Sequence, residues 1–157
     1  MKACSFTGHR TIKASHKDAL PDLITRAIEY AYGKGCRKFF AGGALGFDTE
    51  AAIAVINYRK THPDVTLTLL LPCFNQGEKW SEYQRNKYDY ILNLADEVIY
   101  VSREYTPDCM RIRNQRLAEE CDILIAYVQR SASGAGQTVR IATALGKEVY
   151  NLYPHLG

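Results

Sequence analysis

Apolar segments of two kinds alternate along this chain, and their order constrains the fold more than any other feature. Short apolar runs typical of β-strands are followed by longer segments whose apolar residues recur at helical spacing. Several of the strand segments are continuously apolar, as expected when helices cover both faces of a sheet. The order predicts an α/β, Rossmann-like, doubly wound fold with a mainly parallel sheet of about six strands.

The predicted strands occupy residues 2–6, 37–41, 65–72, 97–101, 122–128 and 148–153, and the predicted helices occupy 15–35, 46–60, 79–94, 108–120 and 136–145. Ser15, with Asp18 three residues later, is predicted to cap the first helix. Pro21 then fits only in the first turn of that helix. No repeat, low-complexity segment or linker divides the 157 residues, which predicts a single domain over 1–157.

Composition excludes several classes of protein. The 20 Lys and Arg against 17 Asp and Glu leave a net charge of +3, too mild by itself to indicate a nucleic-acid binder. The five cysteines are widely spaced without a CxxC motif, which favours buried free thiols in a reducing cytosol over a zinc site. No signal peptide or membrane-spanning segment is found. The sequence therefore predicts a cytoplasmic protein with no metal site and no required cofactor.

The loops that follow strands are the places to search for a site, because ligands of doubly wound folds bind beyond the carboxyl ends of the strands. Two of these loops are rich in glycine, at residues 42–46 and 134–136. Amides at a helix N-terminus bind phosphate, and glycine lets the backbone approach a ligand closely. Because a tight turn also needs glycine, a single glycine-rich loop does not distinguish phosphate binding from turn geometry. Two such loops in one domain favour phosphate binding.

Well-known signatures of other chemistries are absent. No GxGxxG follows the first strand and no GxxxxGK[ST] occurs, so a standard dinucleotide fingerprint and a Walker loop are unsupported. GxSxG and HExxH are missing as well. Among the arginines, Arg10 and Arg113 adjoin ligand loops and are candidates for phosphate contacts. Arg116 and Arg130 are predicted to be solvated surface charges.

Three further side chains each allow a functional and a structural interpretation. His9 could act as a base or contact phosphate, but no catalytic partner is apparent for it. Asp48 could hold ribose hydroxyls, or it could complement the dipole of the helix that it begins. Trp80, the only tryptophan, could stack on a base or simply pack.

Five segments, in order, resemble the motifs of the SLOG superfamily: FTGHR, GGALGFDTEAA, LLLPC, RNQRLAEECDILIAYV and SGAGQTVRIATALGKEVYNLYP. This Rossmann-like group contains the DNA-processing protein DprA (Smf) and the LOG cytokinin-activating enzymes. The chain is most similar to the YpsA-like branch of small bacterial and phage-associated proteins. That branch has GHR, GALGFD, P-x3-Q-x3-W, RN and a Gly-rich loop, and the resemblance covers essentially the whole chain.

The resemblance implies that the chain binds a nucleotide or nucleotide-derived small molecule, such as an ADP-ribose-like ligand. The role implied is that of a sensor or sequestering module, in phage–host or stress signalling, and a homodimer is implied as well. The ligand-binding residues carried over from the motifs are Gly8, His9, Arg10, Gly42, Gly43, Gly46, Phe47, Asp48, Gln76, Trp80, Arg113, Asn114, Gly134, Gly136 and Thr138.

Two alternatives from the same superfamily stay open. LOG-type enzymes carry PGGxGTxxE, whose glutamate serves in N-glycosidic cleavage, whereas residues 133–141 here read SGAGQTVRI without a glutamate. The remaining catalytic candidates are Asp48, Glu50 and His9, so the sequence favours a binding protein over a nucleotide N-glycosidase. DprA-like binding of single-stranded nucleic acid would need basic and aromatic surface. The tyrosines of the 79–94 helix, Tyr83, Tyr88 and Tyr90, are instead predicted to pack on the sheet.

Overall fold

Over residues 2–157, the part of the chain that the computed structural model describes, six parallel strands form one sheet and five α-helices flank it. The strands are β1 (Lys2–Gly8), β2 (Cys36–Ala41), β3 (Thr66–Leu71), β4 (Glu97–Tyr100), β5 (Ile123–Tyr127) and β6 (Glu148–Asn151). The helices are α1 (Leu20–Gly33), α2 (Phe47–Arg59), α3 (Glu82–Leu94), α4 (Cys109–Glu120) and α5 (Gly134–Ala144). The predicted fold class is confirmed.

The sheet has the order β4-β3-β2-β1-β5-β6. The chain first adds strands on one side of β1 and then moves to its other side with β5. In register, Cys4 of β1 lies opposite Phe39 of β2 and Ile123 of β5. The strand order therefore reverses between β1 and β5, and in open α/β sheets such a switch point opens a crevice at the carboxyl ends.

Alternate side chains of each strand face opposite helix layers. The layer formed by α1, α2 and α3 packs on Phe6, Phe39 and Leu69, all fully buried. The layer formed by α4 and α5 packs on the opposite face, where Ser5 donates a hydrogen bond to the carbonyl of Leu117 at 2.7 Å. Helices on both faces explain why the strand segments are continuously apolar.

The predicted Ser15 cap is wrong. Residues Ala14–His16 form a separate 3-10 turn, and α1 begins at Leu20 without a side-chain cap. The physical reason is His16, which is buried and hydrogen-bonded to the hydroxyl of Tyr127, so that it draws its turn into the core. Pro21 does lie in the first turn of α1, as the sequence predicts.

Two other helix starts differ from the sequence prediction. Ser81 and Gln84 form a capping box, so α3 begins at Glu82 and Trp80 lies in the preceding turn. Ser133 caps α5 by accepting from the Gly136 amide at 3.0 Å. Gly134 and Gly136 therefore belong to the first turn of α5, and the Gly136 amide already has a partner.

The predicted packing of the α3 tyrosines holds only for Tyr88, which is 6% exposed, whereas Tyr83 and Tyr90 are 68% and 43% exposed. At 3.6 residues per turn, Tyr88 shares a face with buried Ile91, and the other two tyrosines point elsewhere.

The five cysteines are all buried free thiols, as predicted. None of the helices within residues 2–157 is both long and apolar enough to cross a bilayer. In the same range, no cluster of three or more His, Cys, Asp or Glu side chains is arranged to hold a metal ion.

Candidate functional site

A cleft of about 1430 Å³ opens at the carboxyl ends of the strands, over the switch point between β1 and β5. The loops that follow β1, β2, β3, β4 and β5 all contribute to it. Nine of the residues carried over from the family motifs line this cleft: Gly8, His9, Arg10, Asp48, Gln76, Trp80, Arg113, Asn114 and Gly134. The fold thus brings together residues from distant parts of the sequence at one edge of the sheet.

Seven other predicted residues lie behind the lining or beside it. Gly42 and Gly43 are buried behind the cleft wall, and Gly46 and Glu50 line a smaller adjoining pocket of about 600 Å³. Phe47 is fully buried and stacks on Tyr127, with ring centroids 5.7 Å apart. The two remaining residues, Gly136 and Thr138, are buried inside α5.

The glycine loop, defined as residues 42–46, packs directly against the loop after β1. Gly46 has φ of 79°, and a Cβ placed there would lie 2.1 Å from the carbonyl oxygen of Arg10. The Phe47 amide next to it donates to the carbonyl of His9 at 3.1 Å. Close packing between two loops therefore accounts for Gly46, and the amide of Phe47 is not free for a ligand.

Asp48 is a buried carboxylate on the cleft wall, only 4% exposed. Its Oδ2 accepts from the Ala44 amide at 3.3 Å, while its Oδ1 is buried with no hydrogen-bond partner among the described residues. Burial raises the pKa of Asp48 to about 6, and the nearby Arg113 guanidinium and the Ala44 amide oppose that shift. An unpaired buried oxygen is costly unless a further group supplies a donor.

Arg113 and Asn114 connect the glycine loop to the start of α5. Arg113, 5% exposed, donates from Nη1 to the carbonyl of Gly42 at 2.6 Å and from Nε to Oδ1 of Asn114 at 2.9 Å. Asn114 donates in turn to the Gly134 carbonyl at 3.3 Å. The RN pair therefore has a structural role within the floor of the cleft, in addition to any contact with a ligand.

His9 holds the loop after β5 in place. Its Nε2 accepts from the Gln129 amide at 2.8 Å, so the neutral ring carries its proton on Nδ1. Burial lowers the pKa of His9, and the charge of Arg130 lowers it further. The ring is thus a neutral hydrogen-bond acceptor that links the two strands flanking the switch point.

Several cleft residues were not predicted from the sequence. Tyr127, the last residue of β5, accepts from the Lys13 amide at 3.1 Å and is hydrogen-bonded to Nδ1 of His16 at 2.7 Å. Arg130 is exposed, as the sequence predicts, but it also lines the cleft, which the sequence did not predict. The signal available for Tyr127 was its position, a tyrosine at the carboxyl end of an otherwise aliphatic strand.

The cleft has two chemically different ends. Near β1 and β5 its cations are Arg10, Lys13 and Arg130. Toward β3 and α4 the wall is formed by Trp80, Tyr105 and Met110, together with the oppositely charged neighbours Glu78 and Lys79. In the described part of the chain, five cationic side chains line the cleft, against two acidic ones.

This architecture defines a Rossmann-like α/β protein with a cleft at its switch point, and comparison with known proteins places it more closely. The sequence profile of the YspA SLOG family matches residues 6–152, and the chain belongs to that family. The SPβ prophage-derived protein YoqJ of Bacillus subtilis is 30% identical over 149 residues, covering 86% of this chain and 83% of YoqJ. The UPF0398 protein BH1768 of Halalkalibacterium halodurans is 31% identical over 144 residues, covering 86% and 76%.

Solved structures support the same fold at lower identity. DprA of Streptococcus pneumoniae is similar with a TM-score of 0.67 and 17% identity, over 95% of this chain and 49% of that one. DprA of Helicobacter pylori, whose structure concerns its single-stranded DNA binding mode, is similar with a TM-score of 0.65 and 20% identity, over 94% and 63%. The chain therefore spans about half to two thirds of these DprA chains.

Proposed function

We propose that this chain binds a nucleotide-derived small molecule of the ADP-ribose type across the carboxyl ends of its strands, as a sensor or sequestering module. The observation that carries the proposal is the cleft with a cationic end and an aromatic end. A nucleotide has the same two-ended chemistry, because its phosphates are anionic and its base is a flat, largely apolar ring.

The phosphates would lie at the cationic end. Arg10 and Arg130 are exposed, line the cleft and can orient toward an anion. The first amides of α5, at Gly134 and Ala135, add the positive end of a helix dipole. Arg113 takes a smaller part than its sequence context suggests, because its guanidinium is engaged by Gly42 and Asn114.

In this proposal Asp48 would hold the ribose. Its buried Oδ1 has no donor within the described residues, and a ribose hydroxyl would supply one once a movement of the cleft wall opens this oxygen to the ligand. The base would then extend toward Trp80 and Tyr105, where stacking on an aromatic face is favourable. The cleft volume of about 1430 Å³ exceeds the roughly 300–1,000 Å³ usual for small ligands, which favours a molecule larger than a mononucleotide.

Thermal unfolding with a ligand panel tests the proposal. The panel contains AMP, ADP, NAD, ADP-ribose, cyclic nucleotides and a short single-stranded oligonucleotide. A ligand present at about 100 times its Kd stabilises the fold by about 2.7 kcal/mol, a Tm shift of roughly 5–10 °C for a chain of this size. Arg130→Ala should reduce the shift, whereas Arg26→Ala, an exposed arginine of α1 outside the cleft, should leave it unchanged. No shift with any nucleotide would contradict the proposal.

Asp48 also favours a second candidate function, cleavage of the N-glycosidic bond of a bound nucleotide. A carboxyl group whose pKa is about 6 can hold a proton near neutral pH and donate it to a departing base. Chromatography of the incubated nucleotide would show free base with the wild type and none with Asp48→Asn. An intact nucleotide after long incubation would identify a binding protein.

Exposed aromatic residues at the cleft mouth favour a third candidate, single-stranded nucleic acid. Phe74 and Tyr105 are 71% and 66% exposed, and Tyr105 lines the cleft. Stacking of bases on such side chains, together with phosphate contacts, would make affinity for an oligonucleotide fall steeply with salt. A shift with the oligonucleotide alone, lost at high salt, would select this function over the small-molecule one.

A further inference from the structure

The order of the strands arranges the side chains of the cleft in a row. Trp80 follows β3, Asp48 follows β2, Arg10 follows β1, Arg130 follows β5 and Tyr153 follows β6, and all five line the cleft. These strands are consecutive in the sheet, so β3 and β6 are four strand spacings, or roughly 19 Å, apart. Along its length the cleft therefore presents an aromatic group, an acid, two cations and a second aromatic group.

The second aromatic surface, at the β6 end of the cleft, is formed by Tyr153 and His9. Both side chains are partly exposed and line the cleft, and their rings meet edge to face with centroids 6.3 Å apart. Tyr153 also packs on two buried residues, with ring centroids 4.9 Å from His16 and 5.0 Å from Tyr127. These contacts hold the Tyr153 ring in place before a ligand arrives, which lowers the entropic cost of stacking on it.

A polar side chain lies beside this second aromatic surface. Gln129 is exposed and lines the cleft, and its Oε1 accepts from the Tyr153 hydroxyl at 3.2 Å. An amide oxygen can accept a second hydrogen bond, and the amide nitrogen supplies two donors. A glutamine amide can thus pair with the N6 and N7 edge of adenine. The β6 end therefore offers a ring on which a base can stack and an amide that can pair with the edge of that base.

The charges around the second aromatic surface determine which ring it can accept. Arg10 and Arg130 follow β1 and β5, and Lys13 lines the same end of the cleft. Among the described residues, the acidic groups of the lining are Asp48 and Glu78, which follow β2 and β3 and so belong to the other end. A positively charged ring at the β6 end would be repelled by the cations, whereas a neutral purine would not.

We propose that the cleft takes a dinucleotide in which two neutral purine nucleosides are joined by a bridge of phosphates, as in diadenosine diphosphate. This inference rests on the proposed function and names the class of its ligand. One base stacks at the Trp80 end of the cleft, and the phosphates lie between Arg10 and Arg130. The second base stacks on Tyr153 beside Gln129. ADP-ribose ends in a sugar and leaves the second surface unused, and NAD⁺ places a charged ring there.

A matched series of ligands tests the proposal by calorimetry on the 157-residue chain. Diadenosine diphosphate, NAD⁺ and ADP-ribose differ only in the group on the second ribose, which is adenine, a nicotinamide cation or a hydroxyl. We expect diadenosine diphosphate to bind about tenfold more tightly than ADP-ribose, within the range that stacking of one base supplies. NAD⁺ should bind no more tightly than ADP-ribose. NADH, whose dihydronicotinamide ring is neutral, should bind more tightly than NAD⁺.

Variants of two tyrosines locate the second surface. Tyr153→Leu removes the aromatic ring and should reduce the affinity for diadenosine diphosphate to that for ADP-ribose, with little change for ADP-ribose itself. Tyr153→Phe keeps the ring and its packing, so it should keep most of the preference for the second base. Tyr150→Leu, at a tyrosine of β6 outside the cleft lining, is the control that should leave the preference unchanged.

The outcomes separate this inference from the proposed function. Equal affinity of the wild type for diadenosine diphosphate and ADP-ribose would overturn the two-base ligand, while the proposed function stands. A preference that persists in Tyr153→Leu would overturn the assignment of the second surface to Tyr153. Binding of NAD⁺ as tight as that of diadenosine diphosphate would overturn the selection for a neutral ring. If no ligand of the series binds, the proposed function is wrong, and this inference with it.

Discussion

The guanidinium of Arg113 donates to the carbonyl oxygen of Gly42 across 2.6 Å, which joins α4 to the glycine loop over a sequence separation of 71 residues. The contact explains why position 42 is a glycine, since a Cβ there would lie 2.5 Å from Nη1 of Arg113. Asp48 lies beside the same guanidinium. Burial raises the pKa of Asp48 and lowers the pKa of Arg113, and the attraction between the two charges opposes both shifts. The floor of the cleft is therefore built around a buried cation.

Arg113→Ala should destabilise the fold by about 3 kcal/mol, because it leaves the buried Asp48 without its neighbouring charge and the Gly42 carbonyl without a donor. Denaturant unfolding at neutral pH measures the loss. Arg26→Ala, at an exposed position of α1, should stay within about 0.5 kcal/mol of the wild type. Equal stability of the two variants would mean that the Arg113 contacts contribute no net free energy.

Asp48 should make the free energy of unfolding fall as pH rises from about 4 to about 6. Its pKa is raised from 3.8 to about 6 in the folded state, so in that window the folded chain binds more protons than the unfolded one. The effect amounts to about 3 kcal/mol in total, from 1.36 kcal/mol per pKa unit. The Asn side chain does not titrate, so the free energy of unfolding of Asp48→Asn should increase relative to that of the wild type as pH rises through this window. Parallel plots of unfolding free energy against pH for the two proteins would contradict the raised pKa.

His9 should have the opposite effect on the pH dependence of stability. Because its pKa is lowered below 6.5 in the folded state, the folded chain binds fewer protons than the unfolded one just below that pH. Its contribution to stability is present above pH 6.5 and is lost as pH falls through the folded pKa, when the protonated ring can no longer accept from the Gln129 amide. His9→Gln keeps an acceptor that does not titrate. The Tm of the wild type should exceed that of His9→Gln at pH 7.5, and this difference should become smaller or reverse its sign as pH falls to 5.

How much the sequence could predict depends on the range of the interactions. The alternation of apolar segments was sufficient to predict the fold class, because a strand that is buried on both faces is recognisable from its own continuously apolar sequence. Strand-end positions likewise placed His9, Asp48 and Trp80 in one cleft. The start of α1 could not be predicted locally, since it depends on the contact of His16 with Tyr127, 111 residues away.

The same limit applies to the polar residues of the site. The sequence could not show that Arg113 would be engaged by Gly42, or that the Gly136 amide would be used by Ser133. Both facts follow from how the loops pack once the sheet has formed. Residue type and spacing therefore locate the edge of the sheet that bears the cleft, while long-range packing decides which donors remain available to a ligand.

Tyr127→Phe should destabilise the chain by about 1–3 kcal/mol, although it removes a single oxygen. The lost hydroxyl is hydrogen-bonded to Nδ1 of His16, which is 1% exposed, and accepts from the Lys13 amide. Leaving a buried polar group without a partner is the costly step. Equilibrium unfolding measures the effect, and Tyr90→Phe, at a half-exposed position of α3, is the matched control that should change little.

Gly46→Ala tests whether the packing between the two loops requires a glycine at position 46 even when no ligand is bound. The new Cβ would lie 2.1 Å from the Arg10 carbonyl oxygen, at a φ of 79° that disfavours any residue with a side chain. We expect a loss of about 2 kcal/mol or more of unfolding free energy without ligand, since backbone atoms of the loop after β1 must move. Gly33→Ala, at the end of α1 with nothing within 4 Å of the new Cβ, should be neutral or stabilising by up to about 1 kcal/mol. If Gly46→Ala instead unfolds like the wild type but loses the nucleotide-induced Tm shift, Gly46 serves ligand approach and the packing explanation is wrong.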